Sequence, residues 1–263
     1  MSSASGAGTG HGQSAARPST CPRSVPELSV VCLCYRSQQL AEELAEQMCR
    51  ELEDADIDYE LVLVANYHEG EDDPTPEIVR RFALSCARVK TVTDIKEGMM
   101  GWDMRSGLRC ATGAHLAVID GDGQMPSSDI VKTYRVLQVA GYDLVKTFRA
   151  ERFDGIYRIW LSRGYNLLFH LLFPSSAKFR DINAKPKVMT RAAYESMNLI
   201  SNDWFTDAEI MIEALRNHLN VGEVSTIFLN NERRATFLRA ATILEFLRNL
   251  IYYRFQRWRS VNR

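Results

Sequence analysis

The chain has 263 residues, 46% hydrophobic and 25% charged, so it can bury a substantial core and has the make-up of a globular protein. Its net charge of -1 gives no electrostatic case for a nucleic-acid partner. Six cysteines without a C-x-x-C pair or a nearby His cluster argue against a zinc site or a disulfide framework and suit a reducing cytosol.

Residues 1–26 are rich in Ser, Gly, Ala and Pro, lack the apolar stretch of a signal peptide and are expected to be disordered. "LSVVCLCY" (Leu28–Tyr35) reads as a strand buried on both faces. The next helix carries Leu40, Leu44, Met48 and Leu52 at helical spacing, with Ser37 as its expected N-cap. "YELVLVAN" (Tyr59–Asn66) is a second strand. A helix follows with Thr75 as N-cap and Pro76 at its first position. "VKTVT" is a short strand, "WDMRSGLRCATG" a helix ending at Gly113, and "HLAVID" a strand. "SSDIVKTYRVLQVAG" is a helix ending at Gly141, and "YDLVKTFR" (Tyr142–Arg149) is another strand. This alternation calls for an α/β fold with a mostly parallel sheet and helices on both faces.

The second half begins with an apolar helix, Gly155–Phe173, whose Arg158, Ser162, Asn166 and His170 form one polar stripe. "KPKVMTR" reads as a strand, with Lys185 and Lys187 either strand-edge solubility residues or ligands. "TDAEIMIEALRNHL" is a helix whose early Asp207 and Glu209 either complement its dipole or lie near a ligand, and "VGEVSTIFL" is a strand. The body is expected over residues 27–235 and a basic amphipathic helix over 236–263. No run of eighteen apolar residues occurs, so no transmembrane helix is expected.

The stretch "DGDGQM" (Asp120–Met125) ends a strand on the side where such sheets bind ligands. It is not a calcium loop, because the sixth position is Met125 and the twelfth is Val131. It is not a hairpin, because a helix start follows. A plain turn competes with a metal–phosphate site. For the latter, Asp122 and Gln124 offer oxygen ligands to Mg²⁺ or Mn²⁺, and Gly121 and Gly123 allow a phosphate to approach the backbone.

"VIDGDGQMP" resembles the D-x-D-x-Q-x-P signature of family-2 glycosyltransferases, in the dolichol-phosphate mannose synthase-like branch that uses polyprenyl phosphates. "GLRCATGAHLAVIDGDGQ", "DLVKTFRAERFDG" and "DINAKPKVMTR" extend the likeness from about Leu28 to about Thr236. The resemblance implies a Rossmann-like GT-A fold and an inverting transfer of mannose or glucose from GDP-mannose or UDP-glucose to a polyprenyl phosphate. Asp120 and Asp122, with Tyr35 and Asn66, would face the donor, and Asp122 and Gln124 would hold Mg²⁺ or Mn²⁺. Arg149, Arg152, Arg158, Ser162 and Lys187 would bind the acceptor phosphate. Asp122, Arg149 and Arg152 would be catalytic, and Asp181 would lie in the acceptor-side block. The chain departs from the family where Leu33, Arg36 and Ser37 replace Pro, Asn and Glu, and where Ala65 and Asn66 replace paired aspartates.

An ionised acceptor phosphate attacks without a strong general base, so the chemistry demands cations for two anions rather than a catalytic histidine. The tail from Arg233 carries eight arginines against Glu245, interleaved with leucines and aromatic residues. That pattern suits either an anionic membrane surface, on the cytoplasmic side, or packing on the body or a partner. Two other readings stay open at this stage. One is a transferase with a soluble or polysaccharide acceptor. The other is a non-catalytic binder of nucleotide sugar or lipid phosphate.

Overall fold

The computed structural model describes residues 25–152, 156–229 and 240–261. Four strands, β1 (Leu28–Leu33), β2 (Tyr59–Val64), β3 (Val89–Val92) and β4 (His115–Asp120), are joined by α1 (Gln39–Asp54), α2 (Thr75–Ser85) and α3 (Met100–Cys110). After α4 (Ser128–Ala140) come β5 (Leu144–Arg152), α5 (Ile156–Leu172), β6 (Lys187–Thr190), α6 (Arg191–Ser196), α7 (Thr206–Arg216), β7 (Val221–Phe228) and α8 (Ala240–Val261). The seven strands form one sheet in the order β3-β2-β1-β4-β6-β5-β7. β6 alone runs antiparallel to its neighbours β4 and β5. The architecture is α/β, with a mostly parallel sheet and helices on both faces as expected.

Every residue of β1 and β2 is buried, which explains why both read as unbroken apolar runs. Their side chains alternate between two cores. Val31, Leu33, Val62 and Val64 pack toward α3 and α7, and Val30, Cys32, Leu61 and Leu63 pack toward α1 and α4. α3 lies close to the sheet because Gly107 has no side chain. A Cβ there would come within 2.5 Å of Val31 Cγ1 and 2.6 Å of Val64 Cγ2.

Several local expectations are corrected. Ser37 does not cap α1; its hydroxyl donates to the Gly121 carbonyl at 2.6 Å. Thr75 lies inside α2, and Asp73 accepts from both its amide and its hydroxyl. α3 ends at Cys110, not Gly113, which passes against Ser29. Lys185 and Lys187 are not edge residues, since β6 sits inside the sheet and both side chains are buried. Gly141 does end α4, in the left-handed conformation.

The expected C-terminal helix, α8, packs one face on the body through Leu250 and Tyr253, while Leu247, Ile251, Tyr252 and Phe255 are exposed. Among its arginines, Arg248 and Arg254 have described, exposed side chains. Among the described residues, no helix is long and apolar enough to cross a membrane.

Candidate active site at the strand ends

The order β3-β2-β1-β4 means that the chain reverses its direction of travel across the sheet between β1 and β4. Ligands of open α/β sheets bind at such a switch point, beyond the carboxyl ends of the strands. Asp120 ends β4 there, paired in register with Leu33. Gly121 follows so closely under β1 that a Cβ would lie 2.8 Å from the Leu33 carbonyl oxygen. Asp122 is buried, and its Oδ1 accepts from the Gln124 amide at 3.0 Å, a short side-chain turn that fixes the loop. Gly123 has φ +68°, which favours glycine. The far end of β7 covers the loop, for the Leu229 amide donates to the Gln124 carbonyl at 2.8 Å. A plain turn would need none of this support from β1 and β7.

Tyr35 and Asn66, the residues expected to face the donor, lie at the ends of β1 and β2. Tyr35 donates to Glu71 at 3.0 Å, and burial with that carboxylate pushes its phenol up to about 12. Its ring lies 3.9 Å from Lys96 Nζ. Lys96 is ion-paired with Asp103 at 2.5 Å. Asn66 is fully buried and spans this network, donating to Asp103 Oδ1 at 2.9 Å and accepting from the Asp94 amide. Burial pushes the Asp103 carboxyl up, against the pull of Lys96. Asn66, expected to face the donor, is thus fully buried within this network. Glu71, Lys96 and Asp103 were missed in the sequence, where they follow no hydrophobic period.

A second network lies beneath Asp120. Lys185 Nζ donates to Asp120 Oδ1 at 3.0 Å and Oδ2 at 3.2 Å, and meets Asp207 Oδ2 at 2.8 Å. Lys187 Nζ takes the other oxygen of Asp207 at 2.7 Å and the Ala184 carbonyl at 2.8 Å. Burial opposes the charge on Lys185, but Asp120 and Asp207 outweigh it and hold the ammonium above its ordinary value. Burial likewise opposes the Asp207 carboxylate, and the two lysines hold it below the usual range. Lys187, expected at the acceptor, thus sits in the core and supports Asp207. Asp207 is spent on lysines rather than on a helix dipole. Glu209 accepts from the amides of Ile200 and Ser201 and from the Tyr253 hydroxyl, tying α7 to α8.

Across β6 from Asp120, β5 carries Arg149 to the same end of the sheet, because Val118 and Lys146 both pair with Lys187. Arg149 grips Asp181 with two bonds of 2.6 and 2.8 Å. Asp181 is itself fixed, since its carbonyl accepts from the buried Lys146 ammonium. A cleft of about 260 Å³ opens here, lined by Arg149, Ser162, Arg163, Asn166, Arg180 and Asp181 among others. Of the polar stripe of α5, Asn166 and His170 meet the 176–182 segment and Ser162 lines the same cleft as Arg180. Asn166 bonds the Ile182 amide, and His170 bonds the Ser176 hydroxyl at 2.8 Å. Arg163 and Arg180 were missed. Arg180 stacks 4.3 Å over the Phe148 ring. The side chains of Arg152 and Arg158 lie outside the described residues.

Asp122 and Gln124 present oxygen donors only. Among the described residues, no three His, Cys, Asp or Glu side chains gather to hold a metal ion. The donor set fits a hard cation that takes one or two protein oxygens and fills its shell with phosphate and water; it does not fit a structural zinc.

Comparisons with known proteins accord with this geometry. A sequence model of glycosyl transferase family 2 matches residues 29–205. The chain is 26% identical over 225 residues to the glycosyltransferase AglD of Haloferax volcanii, covering 79% of this chain and 34% of that protein. It is 28% identical over 148 residues to the undecaprenyl-phosphate 4-deoxy-4-formamido-L-arabinose transferase of Pseudomonas syringae, covering 56% of this chain and 42% of the other. The chain thus spans less than half the length of either relative. Among solved structures, glucosyl-3-phosphoglycerate synthase from Mycobacterium tuberculosis with UDP superposes with a TM-score of 0.65 at 17% identity, over 88% of this chain and 80% of the other. The same enzyme with Mn²⁺, UDP and phosphoglyceric acid gives a TM-score of 0.63 at 16% identity, over 88% of this chain and 78% of the other. At that identity the likeness speaks for the fold.

Proposed function

The chain belongs to glycosyl transferase family 2, and from that premise we propose that it moves a hexose from a nucleoside diphosphate sugar to a polyprenyl phosphate. The donor would be GDP-mannose or UDP-glucose, and the divalent cation Mg²⁺ or Mn²⁺. The observation that carries this reading is one end of one sheet. It bears an acidic loop at β4 and, one strand away, an arginine-lined cleft at β5.

An oxygen of the acceptor phosphate would attack the anomeric carbon. The bond from that carbon to the diphosphate oxygen would break, and the nucleoside diphosphate would leave with the electron pair. Bound at Asp122 and Gln124, the cation would supply Lewis-acid stabilisation of the departing diphosphate. Asp120, Tyr35 and the wall behind Asn66 would orient the donor. Arg149, Ser162, Arg163 and Arg180 would hold the attacking phosphate, with Arg152 and Arg158 nearby in sequence. Arginine suits an anion beside another anion, because its planar fork binds phosphate oxygens in pairs. Asp181 would keep the Arg149 fork aimed rather than free to collapse onto the donor.

A polyprenyl acceptor fits the outer surface. Trp160, Leu167 and Leu171 of α5 are exposed, at 66%, 62% and 69%. Leu247, Ile251, Tyr252 and Phe255 of α8 are exposed as well, with Arg163, Arg248 and Arg254 among them. Apolar and aromatic side chains interleaved with arginines suit peripheral binding to an anionic, cytoplasm-facing membrane surface. The relative that acts on undecaprenyl phosphate supports the same class of acceptor.

The test is transfer of radiolabelled mannose or glucose, with Mn²⁺, to a short polyprenyl phosphate or to phosphoglycerate. Lipid-linked sugar is expected, falling by about a thousandfold in Asp122→Ala, a loss of the size seen when transition-state charge loses its partner. Transfer to phosphoglycerate alone would replace the lipid acceptor with a soluble phosphate. Nucleotide binding with no transfer at all would sink the enzyme reading.

A further inference from the structure

A second cavity, of about 330 Å³, opens between the last turns of α5 and α7 and the side of α8. It lies toward the other end of the sheet from the acidic loop. Leu219 lines it just before β7 starts at Val221, and Val221 pairs with Leu144, the first residue of β5. Leu172, Phe173, Ile212 and Leu219 give it an apolar wall. Its mouth is basic. Lys178, His218 and Arg254 line it with exposed side chains, and among the described residues no carboxylate pairs with them. Arg216 is spent on the protein: it donates to Glu213 at 2.7 Å and to the Tyr253 carbonyl at 2.8 Å, which ties α7 to α8. No acid lines the cavity among the described residues, although the whole chain has a net charge of -1.

α5 links this cavity to the arginine-lined cleft. Ser162 lines the cleft and Leu172 the cavity. A helical rise of about 1.5 Å per residue sets them roughly 15 Å apart. Leu167 and Leu171, one turn apart on α5, are exposed along that stretch. On α8, Ile251 and Phe255 are exposed one turn apart, and Arg254 shares their side of the helix. The basic mouth therefore continues into exposed apolar side chains on both helices.

We infer that this cavity seats the phosphate-bearing head of an anionic membrane phospholipid. The phosphate meets Lys178, His218 and Arg254, and the first carbons of the lipid cover Leu172, Phe173 and Leu219. Charge and apolarity together select this occupant. A free phosphate would leave the apolar wall uncovered, and a lipid without net charge would leave the cations unmatched. The volume lies at the lower end of ligand pockets, about 300–1,000 Å³, which suits a headgroup and the start of a chain rather than a whole lipid. A lipid seated there lays α5 along the membrane and brings the cleft to the same surface. The site anchors and orients the protein without touching the reacting atoms. The inference rests on the reading of α5 and α8 as a membrane-facing surface.

Titration calorimetry of the full chain with dihexanoyl phosphatidic acid, kept below its micelle concentration, tests the site. Lys178→Glu combined with Arg254→Glu should weaken binding about tenfold, since two attractions become repulsions. Arg163→Glu, in the cleft, should stay within about twofold of wild type. Dihexanoyl phosphatidylcholine and inorganic phosphate should each bind wild type at least about tenfold more weakly. Equal binding of phosphatidylcholine would leave only an apolar groove, and equal binding of inorganic phosphate would make this a free-anion site; either overturns the proposal. So does unchanged affinity in the double variant, or a loss confined to Arg163→Glu, which would move the lipid to the cleft. If the double variant does not fold, by circular dichroism, Lys178→Glu alone decides, with an expected loss of about threefold. Flotation with phosphatidylcholine vesicles containing phosphatidylglycerol separates this site from the surface reading. A wild type that does not float overturns both, whereas a double variant that floats as well as wild type overturns this site alone.

Discussion

The two halves of the sheet are built on different principles. β1 and β2 are stacked apolar runs, and their buried polar pair, Ser29 and Glu60, meets at the strand starts, away from the site. β5 and β6 instead bury Lys146 and Lys187, and Lys185 lies just ahead of β6. Each of these lysines is matched by an acid from a different segment: Glu223, Asp207 and Asp120. The first half is held by surface removed from water, and its site loops ride on it. In the second half buried ion pairs hold the fold and also fix Asp120 and Asp181 at the candidate site. The lesson is that the strand ends around β5 and β6 cannot be altered without touching stability, and that the first half shares this only where Lys96 pairs with Asp103 behind Tyr35.

The largest expected effect tests that lesson. Asp207→Ala strands Lys187 and removes one partner of Lys185. It should cost about 3–5 kcal/mol in urea unfolding, as breaking a buried ion pair does. A cost under about 1 kcal/mol would mean that water reaches these lysines and that the halves are alike.

Gly107→Ala is the counterpart in the first half, where the new methyl would press on Val31 and Val64. Overpacking should cost about 1–3 kcal/mol, independent of salt.

The halves should also fail at opposite ends of the pH scale. Asp207 is held below its unfolded value near 4, so its contribution is whole above that pH and is lost as pH falls through the folded value. Burial pushes the Cys49 thiol in α1 up to about 11, so its contribution is whole below the unfolded value of about 8.5 and is lost as pH rises through the folded value. Hydrogen exchange should therefore quicken first in β6 and α7 in acid, and first in α1 in alkali. The same order of opening at both extremes would break the comparison.

The smallest effect belongs to the rim at the ends of β1 and β2. Arg36 pairs with Glu71 at 2.8 Å but is half exposed. Arg36→Ala should cost no more than about 1 kcal/mol of stability. Since Glu71 also accepts from Tyr35, the same change should shift the apparent KM for the donor more than kcat.

What was legible in the sequence follows the same division. The first half announces itself through apolar runs and helical spacing, and the acidic loop stands out because Asp, Gly and Gln follow a buried strand. The second half is harder. β6 has only four residues, and its lysines look like surface residues until Asp207 and Asp120 are brought to them by the fold. Nothing in "KPK" specifies an antiparallel strand between β4 and β5. Arg149 was visible in "TFRAER", and Asp181 in "DIN", but not that they grip each other. Arg163 and Arg180 reach the cleft only because α5 and the 176–182 segment fold together over β5.

The placement of β6 also sets an order of events in folding. β4 and β5 are separated by one helix in the chain, yet neither pairs with the other; both must wait for β6 to be inserted between them. The parallel unit β1 to β4 has all its strands once Asp120 is made, although β4 must reach back across β2 and β3 to pair with β1, while closure onto β5 and β7 must await β6. Such contacts are slow, because chain entropy is lost before any pairing repays it. On a ribosome the β1 to β4 half would emerge and fold with β4 still an open edge. The acidic loop at its tip would form early, and its lysine clamp would close last.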